Sequence, residues 1–221
     1  SIRTHETTVC LGTMVKETAS WFEPFADVPL GTYALFRSNN DHIELISDGV
    51  ASRTIWYYVD ENTFIASTSQ RAIIMLIGSF QFNEQVIPWM LTSGVTGPDN
   101  SYDKRIRCLP PDSRCVHTIE NWKTELFTTE AKFESNPAPL AILKRTLETE
   151  LENAFSGFSQ FNADWVLPLS GGIDSRGILL LLLKQNLKLK TITWGSPDSI
   201  YESGSDAYVA QLLSKKLGIP N

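Results

Sequence analysis

The sequence predicts two folds in succession: an antiparallel α+β half over residues 1–134, then an α/β unit built on a parallel sheet over residues 135–221. Two changes of pattern predict this. Before residue 134, short alternating apolar stretches are separated by polar turns, the period of half-buried strands. After it, near-continuous apolar runs alternate with stretches of helical spacing, the grammar of a parallel sheet covered on both faces by helices. Between the two, Ser135-Asn-Pro-Ala-Pro139 reads as a linker, because each proline disfavours helix in the residue before it.

In the first half, Cys10 is expected in a helix, as a packing residue. Residues 31–36 (GTYALF) and 42–47 (HIELIS) flank a polar stretch, 37–41, whose Asn39-Asn40 marks a hairpin turn. Residues 55–59 and 63–67 flank a second turn at 60–62. Residues 84–92 read as a short helix, stopped by the cluster from Gly94 to Pro98. Residues 109–113, with Pro110-Pro111-Asp112, form a turn ahead of a strand at 115–119.

In the second half, Leu140, Leu143, Leu147, Leu151 and Ala154 recur at spacings of three and four, one face of a helix over 140–155. An apolar strand at 164–169, a glycine turn, an apolar helix at 177–184 and a second strand at 187–194 follow. An amphipathic helix, 206–217, closes at Gly218. The chain stops where a third strand is expected, and two parallel strands do not make an independently stable layer. The sheet is therefore expected to be incomplete here.

Composition removes several classes of function. A net charge of −6 and a pI near 5.1 argue against nucleic acid as main partner, since counterion release rewards basic surfaces. No apolar run approaches the roughly 18 residues of a membrane span, and residues 1–18 lack the pattern of a signal peptide. Cys10, Cys108 and Cys115 form no CxxC pair and are odd in number, which predicts reduced thiols in a cytoplasmic protein. His5, His42 and His117 have no metal-ligand spacing, and the acidic stretch 148–152 reads as a solvated helix face.

The chemistry concentrates at residues 166–176, VLPLSGGIDSR. Gly171 and Gly172 let the backbone turn tightly and aim N–H groups inward without Cβ atoms in the way. With the free donors of the following helix start, these amides form an anion-binding concavity. Ser170 and Ser175 add hydroxyl donors to phosphate oxygens, and Asp174 offers a carboxylate for Mg²⁺. Neither the Walker pattern GxxxxGK[ST] nor the dinucleotide fingerprint GxGxxG is present.

SGGIDS after a buried strand resembles the PP-loop of the N-type ATP pyrophosphatases, adenine nucleotide α-hydrolase-like enzymes that include asparagine, GMP and NAD synthetases. The resemblance implies that a substrate oxygen attacks the α-phosphate of ATP, that pyrophosphate leaves, and that a nucleophile consumes the adenylate. Its implied ATP site comprises Leu169, Ser170, Gly171, Gly172, Asp174 and Ser175, with Trp194 and Gly195 beside the adenine across from residues 167–169. Asp174 and Ser175 are the implied catalytic pair, and Asp174 holds the implied metal, Mg²⁺. Asp206 also resembles a family aspartate, although helix capping is its ordinary role. Arg176, in place of a small residue, is suited to a phosphate or a nearby acid.

The first half resembles the second part of the glutaminase (N-terminal-nucleophile, Ntn) domain of the asparagine synthetase family. The match runs through the strand 31–36, Asp48-x4-Arg53, the aromatic run Trp56-Tyr57-Tyr58, Phe64-Ile-Ala-Ser-Thr68 and Leu109-Pro110-Pro111, which is similar to the family's turn between domains. It covers roughly residues 4–218 and is densest around the loop. The family's nucleophile is an amino-terminal cysteine, whereas Ser1 opens this chain. Thr4-His5-Glu6 falls where the family has Asp-x-Glu, and the strands that should precede Gly31 are largely missing. A glutamine-hydrolysing set is therefore not visible, and the implied fold is incomplete at both ends.

The resemblance implies an ATP- and Mg²⁺-dependent, AMP-forming amide ligase acting on a small-molecule or peptide carboxylate, with ammonia from glutamine or an internal amine as nucleophile, in a possible homo-oligomer. The internal amine would make it a tailoring cyclase like β-lactam synthetase or the lasso-peptide cyclases, with an inactive glutaminase domain. A different class of reading is a non-catalytic nucleotide-binding protein.

Overall fold

The computed structural model describes residues 1–130, 132–160 and 164–221, residue 160 by its backbone only. The chain divides into two compact units, Ser1–Phe133 and Glu134–Asn221.

In the first unit the elements are β1 (Ile2–His5), β2 (Thr8–Lys16), β3 (Leu30–Ser38), β4 (His42–Ser47), β5 (Trp56–Val59), β6 (Phe64–Ser67), α1 (Gln70–Ile77), α2 (Val86–Ser93), β7 (Arg107–Cys108), β8 (Ser113–Thr118) and β9 (Lys123–Thr128). They build an antiparallel six-stranded sheet in the order β1-β2-β3-β4-β8-β9 and a three-stranded one in the order β6-β5-β7. Alternation sorts the side chains. Cys10, Met14, Tyr33, Leu35 and Ile46 pack with Trp21 in one cluster. Their neighbours Ala34, Leu45 and Cys115 pack against Ile55, Tyr57 and Leu109 in another.

Several expectations are corrected here. Cys10 lies in the middle of strand β2, not in a helix, and β1 and β2 supply two strands ahead of Gly31. Arg37 is not part of the turn: β3 runs to Ser38, and the Arg37 side chain is fully buried. Its guanidinium donates to the carbonyls of Trp21 (2.7 Å), Ala26 (2.9 Å) and Asp27 (2.9 Å) and to Glu44 Oε2 (3.3 Å). A charge can be buried only when paired and hydrogen-bonded in this way. Leu109-Pro110-Pro111 lies between β7 and β8, inside the first unit rather than between units. Asp48 organises its own turn, accepting from the amides of Tyr33 (2.8 Å), Val50 (3.0 Å) and Ser52 (3.1 Å). Helix α2 ends as expected at Gly94, whose φ of 72° suits glycine.

The second unit runs α3 (Leu140–Ser156), a 3-10 turn (Gly157–Gln160), β10 (Trp165–Pro168), α4 (Ile173–Lys184), β11 (Leu189–Ile192) and α5 (Asp206–Leu217). Strands β10 and β11 pair in parallel, Trp165 with Leu189 and Leu167 with Thr191. The core joins Leu169, Leu179, Leu182, Leu189 and Ala210, with Phe155 and Trp165 against it. Among the described residues the expected two-sided cover is not found. Burial alternates along both strands, and Val166 and Ile192 are exposed. The expected apolar face of α3 is likewise largely in solvent, at Leu140, Leu147 and Leu151. Among the described residues no helix is long and apolar enough to cross a membrane.

Candidate functional site

The chain leaves β10 through a segment still tied to its neighbour. Leu169 N–H donates to the Ile192 carbonyl at 2.9 Å, and the Thr193 hydroxyl donates to the Leu169 carbonyl at 2.8 Å. Leu169 is buried in the core, so the turn that follows starts from an anchored point. Ligands of open α/β sheets bind at such carboxyl ends.

Helix α4 begins at Ile173, four residues earlier than its apolar pattern suggests. Gly172 takes the N-cap position with extended geometry (φ −70°, ψ 157°) and makes no side-chain capping bond. Asp174, Ser175 and Arg176 thus fall in the first turn, where apolar periodicity cannot report a helix. The first amides of a helix have no intrahelical acceptor and carry the positive end of its dipole. With glycine at the cap, no side chain neutralises them from that position.

Two hydroxyls close the turn. Ser170 Oγ and Ser175 Oγ are 2.9 Å apart, Ser170 N–H donates to Ser175 Oγ at 3.1 Å, and Gly172 N–H donates to Ser170 Oγ at 3.2 Å. Ser175 Oγ also lies 3.2 Å from the Ser170 carbonyl and 3.3 Å from the Gly172 carbonyl. One hydroxyl carries one proton, so it donates to only one of these acceptors at a time. Arg176 Nε donates to the Gly172 carbonyl at 3.1 Å, which ties this side chain to its own loop.

The two glycines face different neighbours. A Cβ on Gly171 would lie 2.7 Å from Asp206 Oδ1 and 3.3 Å from both Asp206 Cα and Val209 Cβ. On Gly172 it would meet only Ser170 Oγ, at 3.2 Å, on the exposed side of the loop. Gly171 is therefore small because α5 approaches it. Gly171 N–H donates to Asp206 Oδ1 at 2.9 Å.

Asp206 is the residue that sequence reasoning undervalued. Helix capping, its ordinary role, belongs to Ser205, whose hydroxyl accepts from Tyr208 N–H at 3.1 Å. With the cap position filled, Asp206 sits in the first turn of α5 and its carboxylate reaches the loop. The adjacent Ser205-Asp206 pair was the available signal.

The structure thus gathers Leu169, Ser170, Gly171, Gly172, Asp174 and Ser175 in one turn, with Asp174 exposed. Trp194 and Gly195 follow Thr193 beyond the end of β11. Trp194 is 69% exposed, which excludes a core role for it within the described residues. The space beside Gly195 is taken by the Ser199 hydroxyl.

Other titratable groups are accounted for by structure. Burial pushes the thiols of Cys10 and Cys108 up to about 11 and that of Cys115 to about 12, and all three are free. Such thiols are poor nucleophiles. Burial lowers the pKa of His117, which stacks on Phe64 and shares a 2.8 Å hydrogen bond with Thr124. Among the described residues no group of three or more His, Cys, Asp or Glu side chains is placed to hold a metal. No model of a known protein family matches the chain, and no curated protein does.

Proposed function

We propose that the second unit binds the polyphosphate of ATP and that the protein is an AMP-forming amide ligase of the asparagine synthetase type. One observation carries the reading: a strand end runs directly into a serine–glycine turn whose hydroxyls converge with the uncapped first turn of a helix. Hydroxyls and main-chain amides aimed at one place are what a polyphosphate needs. The exposure of Gly172 leaves that side of the turn open to a ligand.

The residues fit the polyphosphate. Ser170 Oγ and the first amides of α4 are its donors, and a Cβ at Gly172 would intrude on the same side. Mg²⁺ would sit with the exposed Asp174 carboxylate and offset phosphate charge. A single carboxylate suits this ion, which takes most of its ligands from phosphate and water. In the proposed reaction a substrate carboxylate oxygen bonds to the α-phosphorus, the bond to the bridging oxygen breaks, and pyrophosphate departs. An amine then attacks the acyl carbon of the adenylate, releasing AMP and leaving an amide. Trp194 offers an exposed aromatic face to the adenine.

One observation favours an internal amine over ammonia from glutamine. Thr4, His5 and Glu6 are exposed, on edge strand β1 and its turn, and the His5 ring is stacked on Phe22. The test is ATP–pyrophosphate exchange with panels of amino acid and peptide carboxylates, alone and with glutamine. Carboxylate-dependent exchange supports the ligase. ATP binding with no exchange for any carboxylate would favour a nucleotide-binding protein instead.

A further inference from the structure

The loop already holds an anion. Asp206 Oδ1 accepts the Gly171 N–H at 2.9 Å, a position in which a phosphate oxygen would make the same bond. The carboxylate rests on the first turn of α5, where the helix dipole favours negative charge. Its place beside the loop is set by main-chain contact, since a Cβ on Gly171 would meet Asp206 Cα at 3.3 Å. The residue is exposed, so a rotation off the amide would carry the carboxylate into solvent.

We propose that Asp206 is a resident gate on the phosphate loop: its carboxylate competes with the incoming phosphate for the Gly171 amide and repels anions that arrive without a compensating cation. The inference rests on the polyphosphate reading of the loop and assigns that site a selectivity. A fixed negative charge within a few ångströms of the bound anion opposes metal-free phosphate, an effect screened by salt. A phosphate group carrying its divalent ion brings less net charge and meets less opposition. Asp206 thereby selects the metal complex of a polyphosphate over free phosphate anions. Asp206 is a positioning residue in this scheme, acting through the Gly171 amide.

The test uses inorganic pyrophosphate as probe, titrated calorimetrically into wild-type protein, Asp206→Asn and Asp206→Ala, without divalent ion and with Mg²⁺. Asn keeps an acceptor oxygen for Gly171 and removes only the charge, so that variant is expected to stay folded in a thermal melt. The expected result is metal-free pyrophosphate binding at least about fivefold tighter in Asp206→Asn than in wild type, with the gap shrinking in Mg²⁺ and at 0.5 M salt. Equal or weaker binding by a folded Asp206→Asn, with wild type binding normally, would overturn the gate and leave the loop reading standing. No pyrophosphate binding by any folded variant or by wild type, in either condition, would overturn the loop reading and the gate together. Gly172→Val is the control: it should lose binding where wild type binds.

Discussion

The two glycines of the loop, adjacent in sequence, should respond in opposite ways to the same added methyl group. At Gly171 the methyl would lie 2.7 Å from Asp206 Oδ1 and 3.3 Å from Asp206 Cα and Val209 Cβ. The carboxylate can rotate away, but that breaks a hydrogen bond to a charged acceptor, which contributes about 1.5 kcal/mol at the low end for an exposed group. The Cα and Cβ contacts cannot rotate away, so α5 must shift by a few tenths of an ångström, at a further cost of about 1–2 kcal/mol. The sum for Gly171→Ala is about 3 kcal/mol. For a unit of this size that lowers the melting midpoint by on the order of 10–20 °C.

At Gly172 the methyl meets one hydroxyl at 3.2 Å, and Ser170 Oγ turns about a single bond. Gly172→Ala is expected to cost about 1 kcal/mol or less, mostly from replacing glycine at a helix cap. Its effect falls instead on the anion, because the methyl stands on the open side of the loop. Thermal melts and pyrophosphate titrations on both variants check this: Gly171→Ala melts early, while Gly172→Ala melts near wild type and binds at least about tenfold more weakly. Equal melting points for the two variants, or a Gly172→Ala protein with normal affinity, would refute the assignment of the glycines to different neighbours.

Asp174→Ala should melt with wild type, since the side chain is exposed, and should lower ATP–pyrophosphate exchange by about 100-fold or more; wild-type exchange would remove the metal role. Glu44→Gln should destabilise the first unit by about 3–5 kcal/mol in urea titrations, because the buried Arg37 then lacks its counter-charge. Arg105, through hydrogen bonds of 2.9 and 2.7 Å, holds the buried Asp103 carboxyl down to about 2 from its ordinary 3.8. That contribution, about 2 kcal/mol, is complete above the unfolded value of 3.8 and is lost as pH falls through about 2. Urea midpoints of Asp103→Asn should therefore lie below wild type at pH 7, and the gap should close toward pH 2; a constant gap would contradict the linkage.

Alternation made β3, β4, β5 and β6 legible, because each has one face in a core and a turn of distinctive chemistry beside it. The same rule missed β2. Its inward Cys10 and Met14 are flanked by Val9, Leu11 and Val15, so apolar residues occupy both faces and no period stands out. Strand β9 failed for the opposite reason: KTELFT lies at the sheet edge with almost every residue exposed, and an edge needs backbone pairing more than apolar side chains. Arg37 reads as a turn residue in any local window, since its acceptors are carbonyls ten to sixteen positions upstream.

The loop divides along the same line. Residue types within SGGIDS express what the local backbone can do: turn without Cβ atoms, present amides and start a helix. The amides of Ser170 and Gly172 are bonded to hydroxyls within the motif, whereas that of Gly171 is bonded to a residue outside it, Asp206, 35 positions downstream. A motif of this kind specifies a class of ligand through local chemistry, while its selectivity among anions comes from the charge that the second helix brings to the rim. Substitution at Gly172 should therefore weaken binding of every anion alike, whereas substitutions at Asp206 should change which charge state is preferred.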